Sequence, residues 1–412
     1  MIKKIILGIS ILFSTTILAQ EGTASPYSSY GLGEVKFGGT AENRAMGGLG
    51  VIVDSSRINL QNPATYSSLK YTTFAVGGSN NRVNFKTNSQ EEKAQRSTLD
   101  YLAVGLPMGK LGIAFGVMPY SSVGYKIRKD ASGAEPIMQT FTGEGGINKA
   151  FLGGSYIFSK KLSLGLDVKY NFGKVTTEAI AYYPEVVWGS RSKNESRFSG
   201  FSTTLGAFYQ TKYKNKYDWQ SSFTFSPESK LTSENSRNVA VVTYTLQGTE
   251  IIGDQIDVEV ADTEQTIPMN LTFGTSFGNV KKWMVGTEFM LQAKNDNLNV
   301  ENVESKTGGR FSLGGYYIPK YNSFSSYFDR ITYRAGYKFE DYGMTINGKN
   351  IMSHGASVGF GFPVGTTISS INLGLEYGKR GTRSNDLIEE NFFNISLGLS
   401  FSDRWFVRVK YD

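Results

Sequence analysis

Cysteine is absent from the 412 residues, and histidine occurs once, as His354. Without cysteine there is no disulfide framework and no lipid-anchored export route. A single histidine, beside Gly355, leaves too little for a His-based triad or a multi-histidine metal site. No Gly-rich phosphate loop of the required spacing occurs, and acidic neighbours such as Glu389-Glu390 lie in a charged stretch where solvation accounts for them. The chain therefore reads as a non-enzyme with no metal, no cofactor and no catalytic residue. Past residue 19 no apolar run approaches the ~20 residues of a spanning helix, and mean hydropathy is −0.26. That excludes a helical inner-membrane protein. The excess of positive charge is small, 43 Lys and Arg against 36 Asp and Glu, and it is dispersed, so no nucleic-acid surface is expected.

Residues 1–19 have the layout of a secretion signal. Lys3 and Lys4 precede the apolar run Ile5 to Phe13, and Ala19 is the small residue before the cut. The chain is rich in glycine, 47 residues, and in aromatics, 13%, as expected where tight turns and aromatic girdles are used heavily. Period-two alternation runs along it. In Leu162 to Gly173, Leu162, Leu164, Leu166, Val168, Tyr170 and Phe172 share one face; Ser163, Gly165, Asp167, Lys169 and Asn171 share the other. Such an apolar face meets either a second sheet or lipid.

The connections favour lipid. About fourteen such segments can be counted between Leu69 and Phe401, joined by short turns such as Met108-Gly109-Lys110 and Lys214-Asn215-Lys216 that alternate with long polar loops near 87–97, 128–144, 179–195, 232–265 and 380–390. Brief turns at one end and long loops at the other are the pattern of outer-membrane barrels. The expected fold is all-β, a fourteen-stranded antiparallel transmembrane barrel over 69–402. The long 319–330 connection breaks the pattern and suggests a partner contact. Asp403 to Asp412 reads as a short periplasmic tail.

Residues 43–69, NRAMGGLGVIVDSSRINLQNPATYSSL, precede the first strand. The Gly-rich opening, the Asp54-Ser55-Ser56 step and the Asn62-Pro63-Ala64 turn resemble the N-terminal hatch of the FadL/TodX family, most closely its Bacteroidota-type members. That resemblance implies a fourteen-stranded outer-membrane channel for hydrophobic compounds, with residues 20–68 as a hatch plugging the lumen. The hatch residues singled out are Arg44, Gly47, Gly48, Asp54, Asn62, Pro63 and Ala64, with Arg44, Asp54 and Arg57 tethering it to inward charges such as Glu288 or Glu376.

Inward-facing glycines (Gly112, Gly116, Gly165, Gly206, Gly274, Gly286, Gly314, Gly374 and Gly398) leave room inside the wall. Met118, Tyr156, Phe208, Met290 and Tyr316 are the lumen-lining candidates for contact with an apolar ligand or with the hatch. Pro119, within the third strand, cannot donate to the ladder. The family resemblance implies a kink there with a sideways exit into the bilayer. The expected function is passive uptake of a small hydrophobic or lipid-like solute, gated by the hatch, through a barrel embedded in outer-membrane lipids. The alternative is a structural or accessory subunit of an outer-membrane complex that assembles or exports proteins, touching other outer-membrane or periplasmic proteins.

Overall fold

The computed structural model describes residues 22–131, 137–245, 247, 249–295, 297–298, 302–323, 326–364 and 369–403. The signal segment and the tail residues 404–412 lie outside the described residues, and Asp403 belongs to the last strand. Among the described residues no helix is long and apolar enough to cross a membrane.

Fourteen antiparallel strands form one closed sheet. They are β1 Thr72–Lys86, β2 Glu91–Met108, β3 Leu111–Lys129, β4 Met138–Ile157, β5 Leu162–Tyr182 and β6 Gly189–Tyr213. β7 runs through Tyr217–Ser226 and Ser229–Tyr244, which succeed each other along β6. β8 comprises Glu250–Val258, Thr263–Ile267 and Asn270–Asn279. β9 is Trp283–Gln292, and β10 combines Val303–Ser305 with Gly308–Tyr317. β11 Thr332–Ile346, β12 Lys349–Pro363, β13 Ser370–Arg380 and β14 Glu389–Asp403 complete the set. β14 returns to β1 from Glu389 opposite Lys86 to Asp403 opposite Thr72, so the ring closes.

Burial is inverted relative to a water-soluble sheet. On β5, Leu164, Leu166, Val168, Tyr170 and Phe172 are exposed while Ser163, Asp167 and Asn171 are buried. The nine positions from Leu164 to Phe172 match the ~9–11 residues that a tilted strand needs to cross hydrocarbon. Above them β5 continues for ten residues, Gly173 to Tyr182, or about 33 Å at ~3.3 Å per residue. There charge replaces grease: Lys174 pairs with Glu195 at 2.6 Å and Arg197 with Glu195 at 3.1 Å.

Several expected loops are therefore strand. Most of 87–97, 128–144, 179–195 and 232–265 extends the β1–β2, β3–β4, β5–β6 and β7–β8 hairpins beyond the greasy band. Beyond that band no lipid enforces an apolar outer face, so these stretches carry no regular period-two hydrophobic signal. One placement also changes. Tyr156 pairs with Leu111 and Leu164, both exposed, and is itself 46% exposed; it faces outward, not into the lumen. His354 is exposed on β12.

Before β1 the chain forms short elements: 3-10 turns at Pro26–Ser29 and Pro63–Ser68, the two-residue strand Glu34–Val35, and one α-turn at Ala41–Arg44. The Asn-Pro-Ala turn has a local cause. Asn62 accepts the Ala64 N–H at 3.0 Å on its side-chain oxygen, and Pro63, which has no N–H to satisfy, opens the turn.

Candidate functional site

The buried, inward set of each strand meets the N-terminal segment. Gly47 N–H donates to Ser357 Oγ on β12 at 3.0 Å, and Gly50 N–H to Glu288 Oε2 on β9 at 2.9 Å. The Gln220 amide on β7 takes both the N–H and the carbonyl of Val53, each at 3.1 Å. Asn62 Nδ2 donates to Ala207 O on β6 at 3.1 Å, and Tyr66 Oη to Asp167 on β5 at 3.2 Å. Ser67 N–H reaches Ser155 Oγ on β4 at 2.5 Å, while Ala41 N–H reaches Tyr101 Oη on β2 at 3.2 Å. Asn372 Nδ2 on β13 donates to Glu42 at 2.8 Å, and Ser402 Oγ on β14 to Ser56 O at 2.8 Å. Glu34–Val35 pairs with Ser121–Ser122 of β3. The segment thus bonds to ten strands. A contact of that breadth supplies partners for the backbone groups of an irregular chain held away from water.

The wall is moulded to the same segment. A Cβ on Gly112 would overlap the backbone of Tyr66 and Ser67; one on Gly165, that of Pro63 and Ala64; one on Gly314 or Gly336, that of Met46. Gly206 abuts Asn62, Gly274 and Gly286 abut Val51, and Gly374 and Gly398 abut Ala41. Of the nine inward glycines read from the sequence, Gly116 alone meets barrel strands instead. Gly47 answers from the segment: its φ is +71°, and a Cβ there would meet the Tyr337 backbone at 2.8–2.9 Å.

The predicted residues sort accordingly. Met118 is buried with Tyr66 and Ile58, Phe208 with Val53 and Ala64, and Tyr316 packs beside Met46 and donates to Val280 O at 2.7 Å. Met290 lines a cavity instead. Gly48 keeps the Gly-rich turn closed by donating to Asn43 O at 2.9 Å. The tethers differ from expectation. Arg44 pairs with Asp100 at 3.4 Å, and Asp54 and Arg57 pair with each other at 3.9 Å. Glu288 instead accepts the Gly50 N–H and pairs with Arg310 at 3.6 Å, and Glu376 pairs with Lys338 at 2.5 Å.

A buried cluster joins the start of the segment to the wall. Arg380 Nη1 bonds Glu34 at 2.6 Å and its Nε bonds Glu390 at 2.6 Å, while Ser25 Oγ donates to Glu390 at 2.5 Å. Burial alone would raise the Glu34 carboxyl, but Lys36 and Arg380 beside it hold it well below the usual carboxylate range. Sequence reasoning missed this cluster because 380–390 reads as one external loop. Hairpin register was the available signal: Arg380 faces Glu390 across β13 and β14.

Pro119 pairs with Asn148, and the β3–β4 ladder resumes at Ser121 opposite Ile147. The irregularity is a one-residue bulge at Tyr120, whose carbonyl accepts the Lys36 N–H at 2.9 Å.

Above the segment lies a cavity of about 430 Å³. Its lining is mixed: Arg44, Arg96, Lys149, Lys169, Arg310, Lys338 and Arg380 stand against Glu34, Asp100, Glu340, Asp341 and Glu376, with Leu32, Phe37, Leu60, Tyr120, Ile267 and Phe392 between them. Below, a void of about 30 Å³ bounded by Asp54, Arg57, Tyr316 and Arg334 is too small for a hydrocarbon. Among the described residues no group of His, Cys, Asp and Glu is arranged to hold a metal.

Solved structures share this architecture. The P. putida toluene transporter TodX is similar with a TM-score of 0.62 and 16% identity, over 90% of this chain and 100% of that one. The Ralstonia pickettii toluene transporter TbuX gives 0.60 and 13%, over 89% and 99%. The monoaromatic hydrocarbon channel CymD gives 0.56 and 12%, over 89% and 98%. The fold is thus the FadL/TodX type found in channels for hydrophobic compounds. No curated protein matches by sequence. The BamG family model covers residues 1–412, from the first residue to the last, and the chain belongs to the BamG family.

Proposed function

We propose that the protein is a bacterial outer-membrane barrel stopped by its own N-terminal hatch, and that it serves as an accessory subunit of an envelope complex that assembles or exports other outer-membrane proteins. The observation that carries this reading is the fit of residues 40–69 to the wall. Glycine after glycine on the strands lies against the backbone of that segment, a fit among the described residues that supports a stopper over a standing solute path. The density of charge in the cavity above it argues the same way, since a ligand pocket for a greasy molecule carries only a small number of polar groups among its apolar side chains. The exposed apolar band meets outer-membrane lipid, and function resides on the rim and on the hairpins beyond it.

A second reading, passive uptake of a small hydrophobic solute with the hatch as a gate, is favoured by the bulge at Tyr120 next to Pro119 and by the fold shared with the toluene channels. Depletion in cells separates the two. The accessory reading expects a fall in folded outer-membrane barrels, scored by heat-modifiable gel mobility, with toluene uptake unchanged. Normal barrel levels with impaired toluene uptake would overturn it.

A further inference from the structure

β8 is paired on both sides only in its lower part. Asn270–Asn279 lies between β7 and β9, but β9 reaches no higher than Gln292 opposite Asn270. Above that level Glu250–Val258 and Thr263–Ile267 pair with β7 alone. At Thr266 the open side is closed by one side chain: Asn297 accepts the Thr266 N–H at 2.8 Å and donates to its carbonyl at 2.6 Å. Along Glu250–Val258 the only register among the described residues is with β7.

Exposed sheet edges invite pairing, and proteins blunt them with lysine, proline or very short strands. Residues 249–265 contain neither lysine nor proline. One bulge, between Ile252 and Gln255, interrupts nine residues of strand. The outer face beside the edge is apolar, with Ile256 68% exposed and Ile251, Val258, Val241 and Trp188 exposed around it. These hairpins project beyond the lipid-facing band, so lipid does not account for that grease.

Charge limits what can lie there. The 249–265 stretch holds six acids and no base in a chain of net charge +7. Glu250 is paired with Arg191 at 2.6 Å and Glu264 with Lys230 at 2.6 Å, while Asp254 and Glu259 have no ion-pair partner among the described residues. A second copy of this edge would set acid against acid, which is destabilising across strands.

We propose that the free edge of β8 over Glu250–Val258 is a docking strand for an extended segment of another envelope protein in which lysine or arginine alternates with apolar residues. The segment adds to the sheet through main-chain hydrogen bonds, its bases meet Asp254 and Glu259, and its apolar residues cover Ile251 and Ile256. This rests on the accessory-subunit reading, because it supplies that subunit's contact surface.

The test uses the full chain in detergent micelles and a fluorescein-labelled decapeptide of alternating valine and lysine, followed by anisotropy. Saturable binding is expected. Affinity should fall at least tenfold for D254K/E259K, and equally when the peptide is N-methylated at alternate residues. Unchanged heat-modifiable mobility of the double variant certifies its barrel. Equal binding by the N-methylated peptide, or by the double variant, overturns the edge. That failure is separate from failure of the accessory role: the edge can fail here while depletion still lowers folded barrels, or bind as expected while depletion does nothing.

Discussion

Replacing Arg380 by methionine tests how the N-terminal segment is held. The arginine and Glu390 side chains are 8% and 0% exposed, and the same guanidinium also bonds Glu34 at 2.6 Å. Removing one member of a buried ion cluster costs about 3–5 kcal/mol, since it strands a charge without solvent or counter-ion. Here it leaves buried Glu390 without a base and Glu34 with Lys36 alone, at 2.9 Å. The β13–β14 ladder does not depend on the side chain, so the loss falls on docking of the segment rather than on the wall. At ~1.4 kcal/mol per tenfold, the released population should rise on the order of 10²-fold or more. The native chain has no cysteine, so a single thiol in place of buried Leu32 reports release through its rate of maleimide labelling. R380M in the Leu32→Cys background should label at least tenfold faster than Leu32→Cys alone. Adding E34Q and E390Q should restore most of the protection, because the stranded charges are then gone. An unchanged rate in R380M would refute the claim that this cluster pins the segment. A triple variant as fast as R380M would show that packing, and not charge, was responsible.

Gly336→Val should force residues 46–47 off the wall, since even a Cβ overlaps the Met46 and Gly47 backbone; single-channel conductance in planar bilayers should appear where the parent shows none. Tyr66→Ala empties a fully buried site, and a loss of about 3–5 kcal/mol should appear as a lower midpoint in heat-modifiability. Tyr66→Phe, which removes only the bond to Asp167, should cost about 1–3 kcal/mol. Pro119→Val should leave toluene uptake by whole cells at the parental level, because Tyr120 remains the extra residue in the ladder; a drop would revive a sideways exit. Glu34 is held ionised by Lys36 and Arg380, its carboxyl depressed below the ~4.3 of a free glutamate. Its contribution is therefore present above that value and lost as pH falls further through the depressed range. The labelling rate of Leu32→Cys, divided at each pH by that of a free cysteine peptide because only the thiolate reacts, should be flat from neutrality down to about pH 4.3 and rise only below it.

Alternation determined the all-β class, and the order of short turns and long loops turned it into a barrel. A strand with hydrocarbon on one face and a wet interior on the other must repeat every two residues, and Leu162 to Phe172 does so without a break. The even number of such segments, and the Asn62-Pro63-Ala64 turn ahead of them, were legible for the same reason: each is written in neighbouring residues. The tertiary structure decided what distance in sequence conceals. Residues 232–265 carry no regular hydrophobic alternation because no lipid enforces an apolar outer face there, so only pairing with β6 and within the hairpin identified them as strand. The partners of Arg44, Glu288 and Arg380 depend on how far round the ring the segment is rotated, which no local pattern encodes. Among the described residues β8 has an unpaired edge because β9 stops at Gln292 while β8 continues. That mismatch in height is a property of two strands together, set by the closed register of the barrel, and neither strand's own sequence contains it.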